Sequence, residues 1–250
     1  MKIKYWSFLI PLIFFSCASI DEYDSKAPSI THEDFDALLK KYVTEAGNVN
    51  YQGFIDENEV FESYLKKLAK HHPNKSWSSA ERLAYWINAY NAFTLKLVLD
   101  HYPVASIKDI KNGVPFVNTV WDIKFIKIEG QTYDLNNIEH GIIRKRFNDP
   151  RIHFAVNCAS FSCPKLRNEA FTADRLNEQL DDQARYFVNN KDKNIITSDG
   201  AQLSKIFLWY GSDFKKNGST VRAFINKYTD EEIAKDTKIS YLDYKWNLNE

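Results

Sequence analysis

Five side chains able to do acid, base or nucleophilic chemistry lie close together in the chain: Glu139, His140, His153, Cys158 and Cys163. A cysteine attacks as its thiolate, so it needs a neighbouring base to ionise near neutral pH and a third group to hold the imidazole in place. Cys158 reads as the nucleophile and His140, arriving from a separate segment, as the base. His153 precedes Cys158 on what reads as a strand, whose alternation points the two side chains to opposite faces unless the chain bends at Asn157. Glu139 or Asn88 would orient the imidazole, Cys163 is the rival nucleophile, and backbone amides of Ala159 to Ser162 would stabilise an oxyanion. The chemistry is hydrolysis or acyl transfer at an amide or ester bond of a peptide-like or envelope substrate.

The same residues admit other readings. Cys158 and Cys163 could close a disulfide, stapling a non-enzymatic module that binds a cell-envelope partner. Two histidine nitrogens and two sulfurs could hold zinc, although Cys-x4-Cys is wide for a zinc pair and neither histidine sits in a paired His motif. The polar residues could also simply satisfy a buried core. No metal and no cofactor are assigned.

Elements that would position these residues follow from periodicity. Arg151 to Val156 is apolar enough for a buried strand that delivers Asn157 and Cys158 to its end. Leu135 to about Ile143 offers an asparagine cap and an acidic first turn for the short helix carrying Glu139 and His140. The most apolar helix runs from Glu81 to about His101 and is hydrophobic on several sides, which marks it as central. Asn88 and Asn91 share one face of it and must bond either crossing backbone or a catalytic histidine. Thr31 begins a cap signature for a first helix, Phe54 to His71 reads as a second, and Thr172 and Ser219 read as caps of two later ones. His71 and His72 at the end of the second helix complement its dipole. Asp122 to Ile128 with Gln131 to Tyr133, and Ile195 to Thr197 with Ala201 to Leu203 around Asp199-Gly200, read as hairpins. Ser204 to Tyr210 reads as aromatic core, and Ile239 to Leu248 as a terminal strand. The expected fold is α+β, a single domain over 31–250 in which a buried central helix packs on a small mixed or antiparallel sheet.

The 250 residues, 44% hydrophobic and 15% aromatic, suffice for such a core. Lys plus Arg and Asp plus Glu balance at 33 each, so no bulk field draws the chain to nucleic acid or to an anionic membrane. Lys2 and Lys4 before the apolar run Tyr5 to Phe15, then Ser16-Cys17, form a signal-peptide pattern over 1–17 with a lipoprotein-like cleavage before Cys17. Lipid on Cys17 would be the membrane attachment, and 18–30 a flexible tether. The chain is thus expected to be exported and anchored at a bacterial envelope, facing the periplasm or lying at the outer membrane.

Trp86-Ile87-Asn88-Ala89-Tyr90-Asn91-Ala92, Ile138-Glu139-His140 and Asp149-Pro150-Arg151-Ile152-His153-Phe154-Ala155 running into Asn157-Cys158-Ala159-Ser160-Phe161-Ser162-Cys163-Pro164 together resemble the domain of unknown function 547 family. Trp209-Tyr210 and Tyr244-Lys245-Trp246-Asn247-Leu248-Asn249 resemble it too, so the likeness covers roughly residues 75 to 250. It implies one α+β domain, often found on exported bacterial proteins, and no particular reaction.

Overall fold

The computed structural model describes residues 24–111, 119–197 and 200–250. The N-terminal segment with Cys17, the first part of the tether and Asp199 of the second hairpin turn lie outside the described residues. Helix α4 (Ser79–Leu99) is the axis of the fold, and its start follows from chemistry at the first turn. Ser78 Oγ accepts from Glu81 N at 3.1 Å, while Glu81 Oε2 accepts from Ser78 N at 2.7 Å, a reciprocal cap. Nearly every side chain from Leu83 to Val98 is buried, so the helix is held by packing on all sides rather than by an amphipathic face.

Three helices precede it: α1 (Glu33–Tyr42), α2 (Tyr51–Asp56) and α3 (Asn58–Ala69). Thr31 does not cap α1. His32 occupies that position without a side-chain cap, and its Nδ1 instead meets the Tyr64 hydroxyl at 2.7 Å. Burial pushes the His32 imidazole down to about 4, so it is a neutral packing residue at pH 7. The single helix expected over Phe54 to His71 is two, because Glu57 leaves helical geometry between them. Gly53 lets α2 approach α1, since a Cβ there would stand 2.2 Å from the Tyr42 ring.

Strands β1 (Ile126–Ile128) and β2 (Gln131–Tyr133) pair antiparallel, with Ile126 opposite Tyr133, around a Glu129-Gly130 turn in which both residues have positive φ. Trp86 of α4 packs edge-on against Tyr133, at 5.8 Å between ring centroids, so the hairpin covers one side of the central helix. A π-helix (Asn137–Ile143) continues into α5 (Arg144–Arg146) and packs against α4 as well.

The strand expected over Arg151 to Val156 is instead a 3-10 helix, Pro150–Phe154. Asp149 accepts from Arg151 N at 2.9 Å and Pro150 takes the first position, where its missing N–H costs nothing. Helix α6 (Leu176–Asn189) lies against this turn, starting four residues after the Thr172 expected to cap it. Strands β3 (Ile195–Ile196) and β4 (Ala201–Leu203) form the second hairpin, and β5 (Ile239–Tyr241) joins β4 in parallel, giving a mixed three-stranded sheet. Short helices α7 (Ile206–Trp209), α8 (Gly211–Phe214) and α9 (Val221–Asn226) fill the interval, the last capped by Thr220 and not Ser219. The fold is a single α+β domain.

Beyond β5 the tail is no strand. It threads over the rest of the chain, bridging Ser106 at Asn247 and Ser160 at Leu248, and Tyr51 Oη donates to Asn249 Oδ1 at 2.6 Å. A satellite core of stacked rings, Phe154 with Phe187 at 4.9 Å and with Phe214 at 5.8 Å, fixes the turn that carries His153. Among the described residues no helix is long and apolar enough to cross a membrane.

Candidate functional site

Cys158 is placed by an amide chain that starts on the central helix. Asn91 Nδ2 donates to Ala155 O at 2.9 Å and Asn91 Oδ1 accepts from Asn157 N at 2.8 Å, which pins the chain on both sides of Val156. Asn157 then closes its own loop, donating to Pro164 O at 2.7 Å and accepting from Ala159 N at 2.9 Å. Ala159 sits at φ +56°, in the left-handed region that costs a non-glycine residue about 1–2 kcal/mol, so the bend after Cys158 is imposed by this network. The tail completes the support, with Phe161 N donating to Asn247 O at 2.7 Å and Lys245 N to Ser162 Oγ at 2.9 Å.

The Cys158 and Cys163 sulfurs stand 2.8 Å apart as free thiols, and Cys158 N donates to Cys163 Sγ at 2.9 Å. In the neutral pair the Cys158 S–H points at Cys163; on ionisation of Cys158 the Cys163 proton serves it. That bond, followed by Ser160 Oγ at 3.2 Å and Tyr244 Oη at 3.5 Å, draws the Cys158 thiol below its ordinary range despite burial. Burial pushes the Cys163 thiol well up, so Cys158 is the sulfur that ionises.

A pocket of about 280 Å³ opens on this sulfur. Both cysteines line it, with Glu139, His140 and His153, so five of the six residues singled out for catalysis converge there. Asn88 does not. It donates to Phe171 O at 2.8 Å and accepts from Phe171 N at 3.0 Å, spending both ends of its amide on backbone, so it orients no imidazole. The Ala159–Ser162 loop also differs from expectation: the amides of Ala159, Phe161 and Ser162 are committed to Asn157, Asn247 and Lys245, leaving those three unable to serve an oxyanion.

The histidines differ in their company. His153 Nε2 donates to Asp213 Oδ2 at 2.8 Å, and Arg144 Nε donates to the same oxygen at 2.7 Å. The His153 and Arg144 bonds hold the Asp213 carboxyl well below the usual carboxylate range. Burial lowers the His153 imidazole although Asp213 opposes the shift, so the ring is neutral at pH 7. Its other nitrogen, Nδ1, is buried without a hydrogen-bond partner, and the ring stacks on Tyr210 at 3.9 Å. His140 is half exposed and its Nδ1 accepts from Arg144 Nη1 at 3.0 Å. Neither imidazole is hydrogen-bonded to Cys158.

Asp213, Tyr210 and Tyr244 were not anticipated as site residues. Tyr210 Oη donates to Glu139 Oε1 at 2.7 Å, and Trp209, Tyr244 and Trp246 form one wall of the pocket, so the aromatic run expected as core is partly lining. Trp209 is 47% exposed. Among the described residues, no three His, Cys, Asp or Glu side chains are grouped to hold a metal ion.

Residues 74–188 match the family described as Protein of unknown function, DUF547. The match contains α4, the π-helix and the whole cysteine loop; Trp209-Tyr210 and the Tyr244–Asn249 tail lie beyond it. No curated protein and no solved structure matches the chain.

Proposed function

We propose that the chain is a thiol enzyme of acyl transfer or hydrolysis, with Cys158 as nucleophile and His153, oriented by Asp213, as the base. The observation that carries this reading is the division of labour on His153. One nitrogen is fixed on a carboxylate at 2.8 Å while the other, buried and unpartnered, belongs to a ring lining the same pocket as the thiol. In the reaction His153 takes the Cys158 proton as the sulfur forms a bond to the carbonyl carbon of an amide or ester, and the bond to the leaving amine or alcohol breaks as that group takes this proton from His153. Water then attacks the thioester, giving a proton to His153; the carbon–sulfur bond breaks, the acid leaves, and His153 returns the proton to the sulfur, regenerating the thiol. Tyr244 and Ser160 supply the hydroxyls nearest the sulfur.

Incubation of the reduced protein with a p-nitrophenyl ester tests this directly. One equivalent of p-nitrophenolate should appear in a burst, and mass spectrometry should find the acyl group on Cys158 and none in Cys158→Ala. A Cys158 that alkylates with iodoacetamide yet never acylates sinks the proposal.

One observation favours a second reading, a binding module stapled by a disulfide. Sulfurs 2.8 Å apart need little movement to bond once two electrons and two protons pass to an oxidising disulfide. If protein matured in an oxidising compartment carries neither Cys158 nor Cys163 as a free thiol and gains no esterase burst on reduction, this reading replaces the first.

Export and lipid anchoring through Cys17 belong to the same proposal, supported by the Lys2-to-Cys17 pattern. Metabolic labelling with a tagged fatty acid should mark the full chain and be lost in Cys17→Ala; labelling that persists in the variant refutes it.

A further inference from the structure

The pocket charge points to a substrate class, an inference that rests on Cys158 being the nucleophile. Glu139 is 7% exposed, yet among the described residues no lysine or arginine pairs with it. Its contacts are the neutral Tyr210 hydroxyl at 2.7 Å and the His140 ring at 3.9 Å. A carboxylate withdrawn from water without a cation is costly, and a cation entering from outside would offset that cost. Nearby Arg144 is engaged by Asp213, and neither it nor any other lysine or arginine lines the pocket. Glu139, joined by Cys158 when its thiol ionises, therefore gives the cavity a negative interior.

Its walls suit the same partner. Trp209, Tyr244 and Trp246 all line the pocket and pack ring to ring, with centroids 4.6–6.1 Å apart, and the face of such a ring attracts a cation. Rings of this site already receive the protein's own cations: Lys108 Nζ lies 4.8 Å from the Trp246 ring and the Arg144 guanidinium 4.8 Å from the Tyr210 ring. Beside Glu139 and Cys158 an anionic group would meet a carboxylate and, on ionisation of the thiol, a thiolate, both repulsive. A cation would gain from each.

We infer that the site takes an acyl substrate bearing an aliphatic ammonium group close to the reacting carbonyl, with Glu139 as its counter-ion and the aromatic wall as its platform. Glu139 is thus a specificity residue rather than the orienter of an imidazole.

Charge-matched alkylating agents read this without knowledge of the substrate. Reduced protein is treated with iodoacetate, iodoacetamide and an iodoacetamide carrying a trimethylammonioethyl arm, and each rate on Cys158 is divided by the rate of the same reagent with 2-mercaptoethanol. The cationic reagent should exceed the neutral one by about tenfold and iodoacetate should fall below it by a similar factor, as one partly screened charge within the pocket dictates. Glu139→Gln should bring the three ratios together. A wild-type order in which the cation shows no advantage overturns the inference by itself, whether or not the variant folds. A charge preference undiminished in folded Glu139→Gln also overturns it. Ordinary modification of Cys158 without charge preference leaves the thiol reading standing, whereas failure of every reagent to modify Cys158 removes both.

Discussion

Turnover of a Cys158 acyl group should slow by about 10²- to 10⁴-fold in His153→Ala, the range a positioned general base contributes. The argument lies in the tautomer. Asp213 accepts only, so it holds the proton of a neutral His153 on Nε2 and leaves a lone pair on Nδ1. Asp213→Asn keeps the shape but can present an N–H to Nε2, moving the ring proton to Nδ1 and removing the base; its loss should approach that of His153→Ala. The pH profile gives an independent check. Burial lowers the His153 imidazole below its ordinary value near 6.5, so the neutral, active form persists as pH falls through 6.5, and the acidic limb of deacylation should lie below that point. Single-turnover measurement of the pre-formed acyl-enzyme separates this step from acylation. If deacylation is unchanged in His153→Ala and collapses in His140→Ala, the base has been assigned to the wrong ring.

His140 is the base that the sequence suggests and His153 the one we propose, a difference that turns on one short segment. The central helix was legible because residues apolar on every side have only one place to go, and the hairpins because Glu129-Gly130 and the second turn announce themselves. Arg151 to Val156 was not, since a short buried run reads alike as strand or as tight helix. The deciding signal was present in Asp149-Pro150, an acceptor followed by a proline at the first helical position, and it was outweighed by hydrophobicity. A strand would send His153 and Cys158 to opposite faces; the 3-10 turn and the left-handed Ala159 bring both to one pocket. Asp213 carried no signal at all. It is one acid among 33 acidic residues, and only the packing of α8 against the Phe154 turn gives it a histidine. Tyr210, Tyr244 and Trp246 were hidden differently, because large aromatics are ordinary core residues and nothing local distinguishes a ring that lines a cavity.

Asn91→Ala should destabilise the domain by about 3–4 kcal/mol and disturb Cys158 as well. The side chain is 2% exposed and both its polar atoms are bonded, so the substitution strands the Ala155 carbonyl and the Asn157 amide in a dry interior. Each stranded group costs about 1–3 kcal/mol, and the lost volume adds to this. For a domain of this size the result is a fall of roughly 10 °C in melting temperature, readable by thermal or urea denaturation. Asn88→Ala provides the control. It strands the Phe171 amide and carbonyl in the same manner and should cost a similar amount, but Phe171 lies outside the cysteine loop. At a temperature where both variants are folded, only Asn91→Ala should slow alkylation of Cys158, because only there does the bend that brings the two sulfurs together lose its anchor. Equal slowing in the two would mean that general loosening, and not the Asn91 clamp, governs the thiol; a loss of less than 1 kcal/mol in Asn91→Ala would mean that the clamp is not needed to hold the chain.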